Sequence, residues 1–362
     1  RATTAGGGIA NHGTLTVTNS TFAANSGADS GSLYNSSGFK ATIANSTFAG
    51  GSIYNSAQAT LSMSNSIAAD SAGGADCYSD PAATLTSFNN LVEDGACSAT
   101  LSGDPLLSAL QNNGGGTWTQ ALLPGSLAID HGSACTESDQ RGVARPQVSA
   151  CDIGAFESQG FILAKTGGDN QQALNQDPFS GPLALTVSSQ SWQSQPEPVD
   201  GGRLLFTAPS SGASVTFAPT ATQVIAAGAV TLPVTANAIG GTYGVTVTTA
   251  GAVESFGTTP AAVVSVTFSL TNTLRQVQVA VTGAPNPSLV GQAVTFTATV
   301  AEILPNALNV LHVTVPTGEV DFVDETSVTL TSVSLVQGVA TFAKSDWAAG
   351  AHTVTPQYLR AA

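Results

Sequence analysis

The chain has 362 residues and carries 23 acidic against nine basic side chains, a net charge of −14, with only 9% of residues charged. Ordinary globular domains carry roughly 25%. That balance argues against nucleic acid and anionic membrane surfaces, both of which are held through Lys and Arg, and it fits a protein that stays soluble outside the cell. Gly, Ser, Thr, Ala and Val dominate, so strands and turns are expected, and no run of eighteen apolar residues offers membrane insertion in this segment. The first residue is Arg1 and falls inside a repeating pattern. The chain therefore reads as a processed piece of something longer, with any signal peptide or anchor outside it.

Small polar words recur from the start. NSTF occurs at Asn19–Phe22 and at Asn45–Phe48, and YNS at Tyr34–Ser36 and Tyr54–Ser56. Alignment on Asn19, Asn45 and Asn65 places Val17, Ile43 and Met63 two residues upstream, and Phe22, Phe48 and Ala68 three downstream. A second alignment brings Asn11, Asn35 and Asn55 together behind Ile9, Leu33 and Ile53. A period of 20 to 26 residues is that of a solenoid. Segments such as TLTVTNSTF alternate apolar and polar, so each reads as a short strand with one buried face. Stacked coils bury together what a single coil cannot. The expected fold is a right-handed parallel β-helix of about four rungs, reaching to about residue 100, with the asparagines at turns, where they bond backbone and one another. The alternative for these columns is low-complexity disorder, which in-register apolar columns oppose.

Four cysteines follow: Cys77, Cys97, Cys135 and Cys151. Their spacings fit neither a CxxC pair nor a zinc site. Two disulfides in sequence order are expected, each stabilising by about 3 kcal/mol in the chain-entropy model; free buried thiols are the alternative.

Residues 101–157 abandon the repeat for more particular words: DPLL from Asp104, PGSLAIDHG from Pro124, DQRGVARPQ, and CDIGAFE from Cys151. This run resembles the end module of bacterial secreted β-helix proteins of the choice-of-anchor type, and the resemblance covers roughly residues 1–157. It implies a module that closes the helix and precedes an anchor or further surface domains. Asp130, His131, Asp139, Arg141, Arg145, Asp152 and Glu157 crowd the module. Either they form an active site, or they form a buried salt-bridge and turn network locking the cap; the carboxylate partners near each arginine favour the network.

After Gly160 the chain reads as strands separated by Gly, Pro and Ser turns every eight to twelve residues, the pattern of a β-sandwich. Residues 161–274, with GRLLFTAPSSGASVTFAP and GGTYGVTV around Tyr243, resemble the Ig-like domains of invasin and intimin-type adhesins. The stretch Ser188–Asp200 departs as a lateral loop carrying Trp192. Residues 275–362, with PNPSLVGQAVTFTATV, PTGEVDFVD and GAHTVTPQY, resemble a second bacterial Ig-like family common as tandem repeats. Their expected inward set is Val294, Phe296, Ala298, Val320, Phe322 and Phe342. Two features depart from that family: Pro356 in the last strand, tolerated mainly at an edge, and the apolar insertion 301–315. Ile303, Leu304, Leu308, Val310 and Leu311 of the insertion are either a lid over the domain's own core or contacts for another chain.

Catalysis finds little support. Glycoside hydrolysis needs two carboxylates on one groove, but Asp29, Asp70, Asp76, Asp80, Glu93 and Asp94 fall mostly in insertions between the aligned segments. Residues 2–140 contain one lysine, Lys40, and no arginine, which is thin for a lyase. His12 and His131 lie in the first domain and His312 and His352 in the last, without ligand-spaced partners. No cofactor is expected; calcium at the acidic turn of Asp321, Asp324 and Glu325 is the one candidate metal. The reading is an all-β, non-catalytic, extracellular or cell-surface bacterial protein: a capped β-helix (1–157) followed by two Ig-like sandwiches (161–274 and 275–362). Its expected work is adhesive or structural, with partners among surface proteins, glycans or copies of itself joined head to tail in a filament or sheath. The rivals are a polysaccharide-cleaving β-helix enzyme and a carbohydrate-binding protein stacking sugars on Trp118, Trp192 or Trp347.

Overall fold

The computed structural model describes residues 6–27, 30–72, 74–192, 195–249, 264–303 and 315–360. Every regular element among them is a strand. The first twelve form four coils of three: β1 (Ile9–Asn11), β2 (Thr14–Thr18) and β3 (Thr21–Ala23); β4 (Leu33–Asn35), β5 (Lys40–Ala44) and β6 (Thr47–Ala49); β7 (Ile53–Asn55), β8 (Thr60–Ser64) and β9 (Ile67–Ala69); β10 (Cys77–Ser79), β11 (Thr84–Phe88) and β12 (Leu91–Val92). They stack into three parallel sheets, β1–β4–β7–β10, β2–β5–β8–β11 and β3–β6–β9–β12. The register is that of the repeated words: Asn11 pairs with Asn35 and Asn35 with Asn55, Val17 with Ile43 and Ile43 with Met63, Phe22 with Phe48.

Alternation along each strand sends one set of side chains inward. Leu33, Ile53, Ile43, Leu61, Met63 and Phe48 are fully buried in columns shared between coils. The Phe22 and Phe48 rings stack with centroids 4.6 Å apart, adding about 1 kcal/mol beyond area burial. Tyr34, Tyr54 and Tyr78, the middle residues of their strands, form a second ladder at 5.3 and 4.8 Å.

The open end of the coil core is closed earlier than the family resemblance implies. Ala96, Cys97 and Ala99 pack on that core after β12, and the Cys77–Cys97 disulfide staples them to β10. Residues 101–157 run back along the flank: Leu122, Ala128, Ile153 and Phe156 pack on Ile67 and Ala69 of β9 and on Leu91 of β12. The reason lies in β9, whose Ile67, Ala68 and Ala69 are all buried. A strand apolar on both faces needs a cover on its outer side. Gly154 of CDIGAFE sits directly on that face with φ +103, where a Cβ would stand 2.8 Å from both the Ile67 and the Thr47 side chains.

The next strands are β13 (Phe161–Gly167), β14 (Gln171–Leu174), β15 (Leu183–Ser189), the small hairpin β16 (Ser191–Trp192) and β17 (Gln195–Pro196), β18 (Arg203–Thr207), β19 (Val215–Phe217), β20 (Thr222–Val224), β21 (Ala229–Leu232), β22 (Val234–Ala236), β23 (Gly241–Thr249) and β24 (Ser265–Thr273). A three-stranded sheet β13–β15–β21 and a five-stranded sheet β14–β24–β23–β18–β20 enclose Leu185, Leu204, Phe206, Val247 and Phe268. The last strands, β25 (Gln276–Ala284), β26 (Val294–Ile303), β27 (Gly318–Asp324), β28 (Thr329–Ser334), β29 (Val339–Lys344) and β30 (Val354–Arg360), form sheets β25–β26–β29 and β28–β27–β30. Ala298, Val320 and Phe322 are buried between these sheets, with Phe296 and Phe342 packed against them. Pro356 lies on β30, an edge strand, opposite Phe322, as expected of a proline within a sheet. Of the apolar insertion, Leu304, Leu308, Val310 and Leu311 lie outside the described residues, while Ile303 ends β26 and is 44% exposed.

Candidate functional site

The two asparagine columns do different work. Asn11 Nδ2 donates to Asn35 Oδ1 (2.7 Å), Asn35 Nδ2 to Asn55 Oδ1 (2.8 Å), and Asn55 Nδ2 to Ser79 Oγ (3.0 Å). Each also donates to a carbonyl of the following coil, those of Lys40, Thr60 and Thr84. This column is an internal ladder. Asn19, Asn45 and Asn65 instead hold left-handed turns at φ near 46°, 46° and 45°, a conformation Asn tolerates better than most residues. Their side chains meet a strap, residues 133–138. Asn65 Nδ2 donates to the Ser133 carbonyl (2.7 Å), Asn45 Nδ2 to Thr136 Oγ1 (3.0 Å) and Asn19 Nδ2 to the Ser138 carbonyl (2.9 Å). The expected bonding to the Asn above does not occur in this second column, because the strap supplies the partners. The Cys135–Cys151 disulfide ties the strap to the CDIGAFE segment.

Behind the strap lies the charged network. Arg141 Nε donates to Asp139 Oδ2 (2.8 Å), its NH2 to the Glu157 carbonyl (2.6 Å), and its guanidinium lies 3.5 Å over the Phe156 ring. Arg145 NH1 donates to Glu157 Oε2 and to the Asp152 carbonyl, both at 2.8 Å. Asp152 accepts from the Asp130 amide (2.7 Å) and the Ser158 amide (2.6 Å). Asp130 meets no guanidinium among the described residues; it accepts the amides of Ser149 and Ala150 and holds a turn. Burial, and then the neighbouring Glu157, raise the Asp152 pKa well above the ordinary range, and burial also raises that of Glu157.

A sixth partner was not visible in the sequence. Glu197, just after the β16–β17 hairpin, is 4% exposed and closes the network from the sandwich side. It accepts from Ser158 Oγ (2.9 Å) and the Gln159 amide (3.1 Å), and lies 3.8 Å from Arg141 NH1. Burial pushes its pKa up to about 7. The lateral insertion thus docks back on the flank module through its far end. Arg203 adds an exposed bridge to Asp104 (3.0 Å).

A second buried knot joins the two sandwiches. Arg275, between β24 and β25, donates to Asp177 Oδ1 (2.5 Å) and Glu302 Oε1 (2.6 Å), and its amide to Asn175 Oδ1 (3.0 Å). Beside it a cleft of about 1020 Å³ is lined by Ile239, Leu274, Val277, Val315 and Tyr358.

Other candidates are spread over separate partners. Asp70, Asp76, Glu93 and Asp94 come closer together than their spacing suggests. Their bonds are to backbone, as where the Asp76 amide donates to Asp94 Oδ2 (3.0 Å) and the Asp70 amide to Glu93 Oε2 (2.9 Å). Burial raises the Asp70 pKa, with Asp104 and Asp76 adding to it. Asp321 accepts from Ser332, Asp324 from the amides of Thr326 and Val328, and Glu325 from His352 and Thr353. Among the described residues no cluster of His, Cys, Asp and Glu has the makings of a metal site, and no helix is long and apolar enough to cross a membrane. Trp118 is 62% exposed, Trp347 packs against Phe296 and His352, and the Trp192 side chain lies outside the described residues.

Residues 281–361 match the bacterial Ig-like domain (group 3). The match falls on the last sandwich. No curated protein matches the sequence. Among solved structures, one similar chain is described as FdeC, a broadly conserved Escherichia coli adhesin eliciting protection against urinary tract infections. It shares 15% identity over 57% of this chain and 65% of that one, so the match spans just under two thirds of its length, with a TM-score of 0.21.

Proposed function

We propose that the chain is a non-catalytic structural and adhesive protein of the bacterial surface. In this reading a β-helix with its flank module (1–157) and two Ig-like sandwiches (161–274 and 275–362) form one stiff rod that holds an adhesive surface away from the cell. The choice-of-anchor and invasin-like likenesses of the first two units belong to this proposal. One observation carries it. Buried charged side chains reach across both joints: Arg141 of the flank module lies 3.8 Å from Glu197 of the first sandwich, and Arg275 ties Asp177 of that sandwich to Glu302 of the last. An enzyme aims such groups at a cleft that a substrate can enter and leaves them free to act there; these are paired with one another, Arg275 and Glu302 doing so on the wall of the cleft between the sandwiches. The bacterial Ig-like match adds support, since it places the last unit in a domain class found in bacteria. The test is adhesion of the purified chain to glycans and host-cell surfaces, run beside hydrolysis and lyase assays on acidic and neutral polysaccharides. Retention without cleavage supports the proposal; turnover of any polysaccharide overturns it.

A finer version is head-to-tail assembly into a filament or sheath. Its support is the last sandwich, whose β30 is an unpaired edge among the described residues and whose surface exposes Leu289 (78%) and Val290 (75%). An open edge beside apolar surface is a template for pairing with another chain. Electron microscopy and light scattering decide it: fibres with a regular axial repeat support assembly, and monomers at every concentration remove it.

A further inference from the structure

Glu197 occupies an unusual place. It belongs to the first sandwich, yet its carboxylate is buried against the connection Ser158–Gly160 and the flank module. Among the described residues, three elements face it. The flank module presents Arg141 NH1 at 3.8 Å, with Asp139 directly behind on the Arg141 Nε. The connection presents the Ser158 hydroxyl and the Gln159 amide, and the Ser158 amide is itself held by Asp152. From its own hairpin, Glu197 receives no charged neighbour among the described residues; its backbone bonds Gln190 and Ser189.

Counting charge across this cluster gives four carboxylates, Asp139, Asp152, Glu157 and Glu197, against two guanidiniums, Arg141 and Arg145. Fully ionised, the interface buries two negative charges in excess. A buried charge without a counter-ion is costly, and the usual relief is either uptake of a proton or exposure to water. Opening the joint gives Glu197 that second route.

We propose that the contact between Glu197 and the flank module is a proton-operated lock, docked in mild acid and released more readily as the pH climbs toward neutrality. The sign follows from proton counts. Docked, Glu197 keeps its proton until about pH 7; undocked and hydrated, it ionises near the ordinary 4.5. Between those values the docked state binds more protons, so the docking equilibrium weakens as pH rises, and it levels off above the upper value. A difference of that size corresponds to a change of roughly 300-fold in the docking equilibrium. The consequence for a rod is a joint that is stiff at acidic surfaces and compliant at neutral or alkaline ones.

Amide hydrogen exchange on the full chain reads the lock directly. Protection of the Gln159 and Glu197 amides, corrected for the intrinsic pH dependence of exchange, is expected to fall by up to roughly 300-fold between pH 5 and pH 8. In Glu197→Gln, which keeps the shape without the charge, it is expected to stay level. Wild-type protection that does not change with pH overturns the proposal, as does a glutamine variant that loses protection in step with the wild type. Should the variant fail to fold, a carboxylate titration of isotope-labelled glutamate in the wild-type chain serves: a Glu197 midpoint near 7 supports the lock, and one near 4.5 overturns it.

Discussion

The two joints of the molecule solve one problem in opposite ways. Between the flank module and the first sandwich, charge is shared among many groups: Asp139 alone accepts from the Arg141 side chain and from the amides of Arg141, Val143 and Glu157. Between the sandwiches the burden falls on Arg275, which reaches Asp177, Glu302 and Asn175 at once, at the side of an open cleft. A distributed network tolerates the loss of a member because backbone donors remain. Where the described contacts centre on one guanidinium, its loss is expected to cost more. In mild acid, where the Glu197 contact is docked, stiffness is therefore expected to survive the loss of one side chain better near the coils than near the last domain.

The largest effect that tests this contrast is Arg275→Ala. Removing one partner of a buried ion pair costs about 3–5 kcal/mol, and here it strips two carboxylates of the same partner. Denaturant unfolding is expected to show that loss together with separate transitions for the two sandwiches. Arg141→Ala is expected to cost less, about 2–3 kcal/mol, because Asp139 keeps its three amides; an equal or larger loss breaks the contrast.

Paired replacement of Cys135 and Cys151 by Ser is expected to remove about 3 kcal/mol and to raise hydrogen exchange in the strap while leaving the inner coils protected. The asparagine columns sharpen the same distinction on a smaller scale. Asn35→Ala orphans buried neighbours on both sides of the ladder and is expected to cost about 1–3 kcal/mol. Asn45→Ala loses one bond to Thr136 and its fitness for a left-handed turn, about 1 kcal/mol. Equal melting shifts for the two variants refute the assignment of one column to the core and the other to the strap. The smallest effect belongs to Leu289→Ser, within about 0.5 kcal/mol, since that side chain is largely exposed.

The coils were legible from the sequence because a β-helix writes its register in the chain. Residues 20 to 26 apart become direct neighbours, so Val17, Ile43 and Met63 announce their column by spacing alone. The sandwiches were legible through alternation, and the inward set around Ala298, Val320 and Phe322 follows from it. The charged residues of the flank module stood out as a crowd, though not their arrangement. What escaped was contact at long range without period. Nothing in Asn19 foretells Ser138, 119 residues on, and nothing in SWQSQPEPVD marks Glu197 as buried, since a lone Glu among Ser, Gln and Pro has the composition of an exposed loop. The closing of the coil end by Ala96–Ala99 was hidden for a related reason: small residues plug a core as readily as they make a turn.

Small-angle X-ray scattering of the full chain at pH 5, where the Glu197 contact is docked, compared with Arg275→Ala at the same pH, asks whether the buried ion pairs hold the three units in one arrangement. One arrangement of the three units is expected to fit the wild-type profile, while the variant requires a spread of orientations between the sandwiches. A wild-type profile that already requires the same spread as Arg275→Ala would contradict that expectation, because buried ion pairs would then be present without holding the rod together.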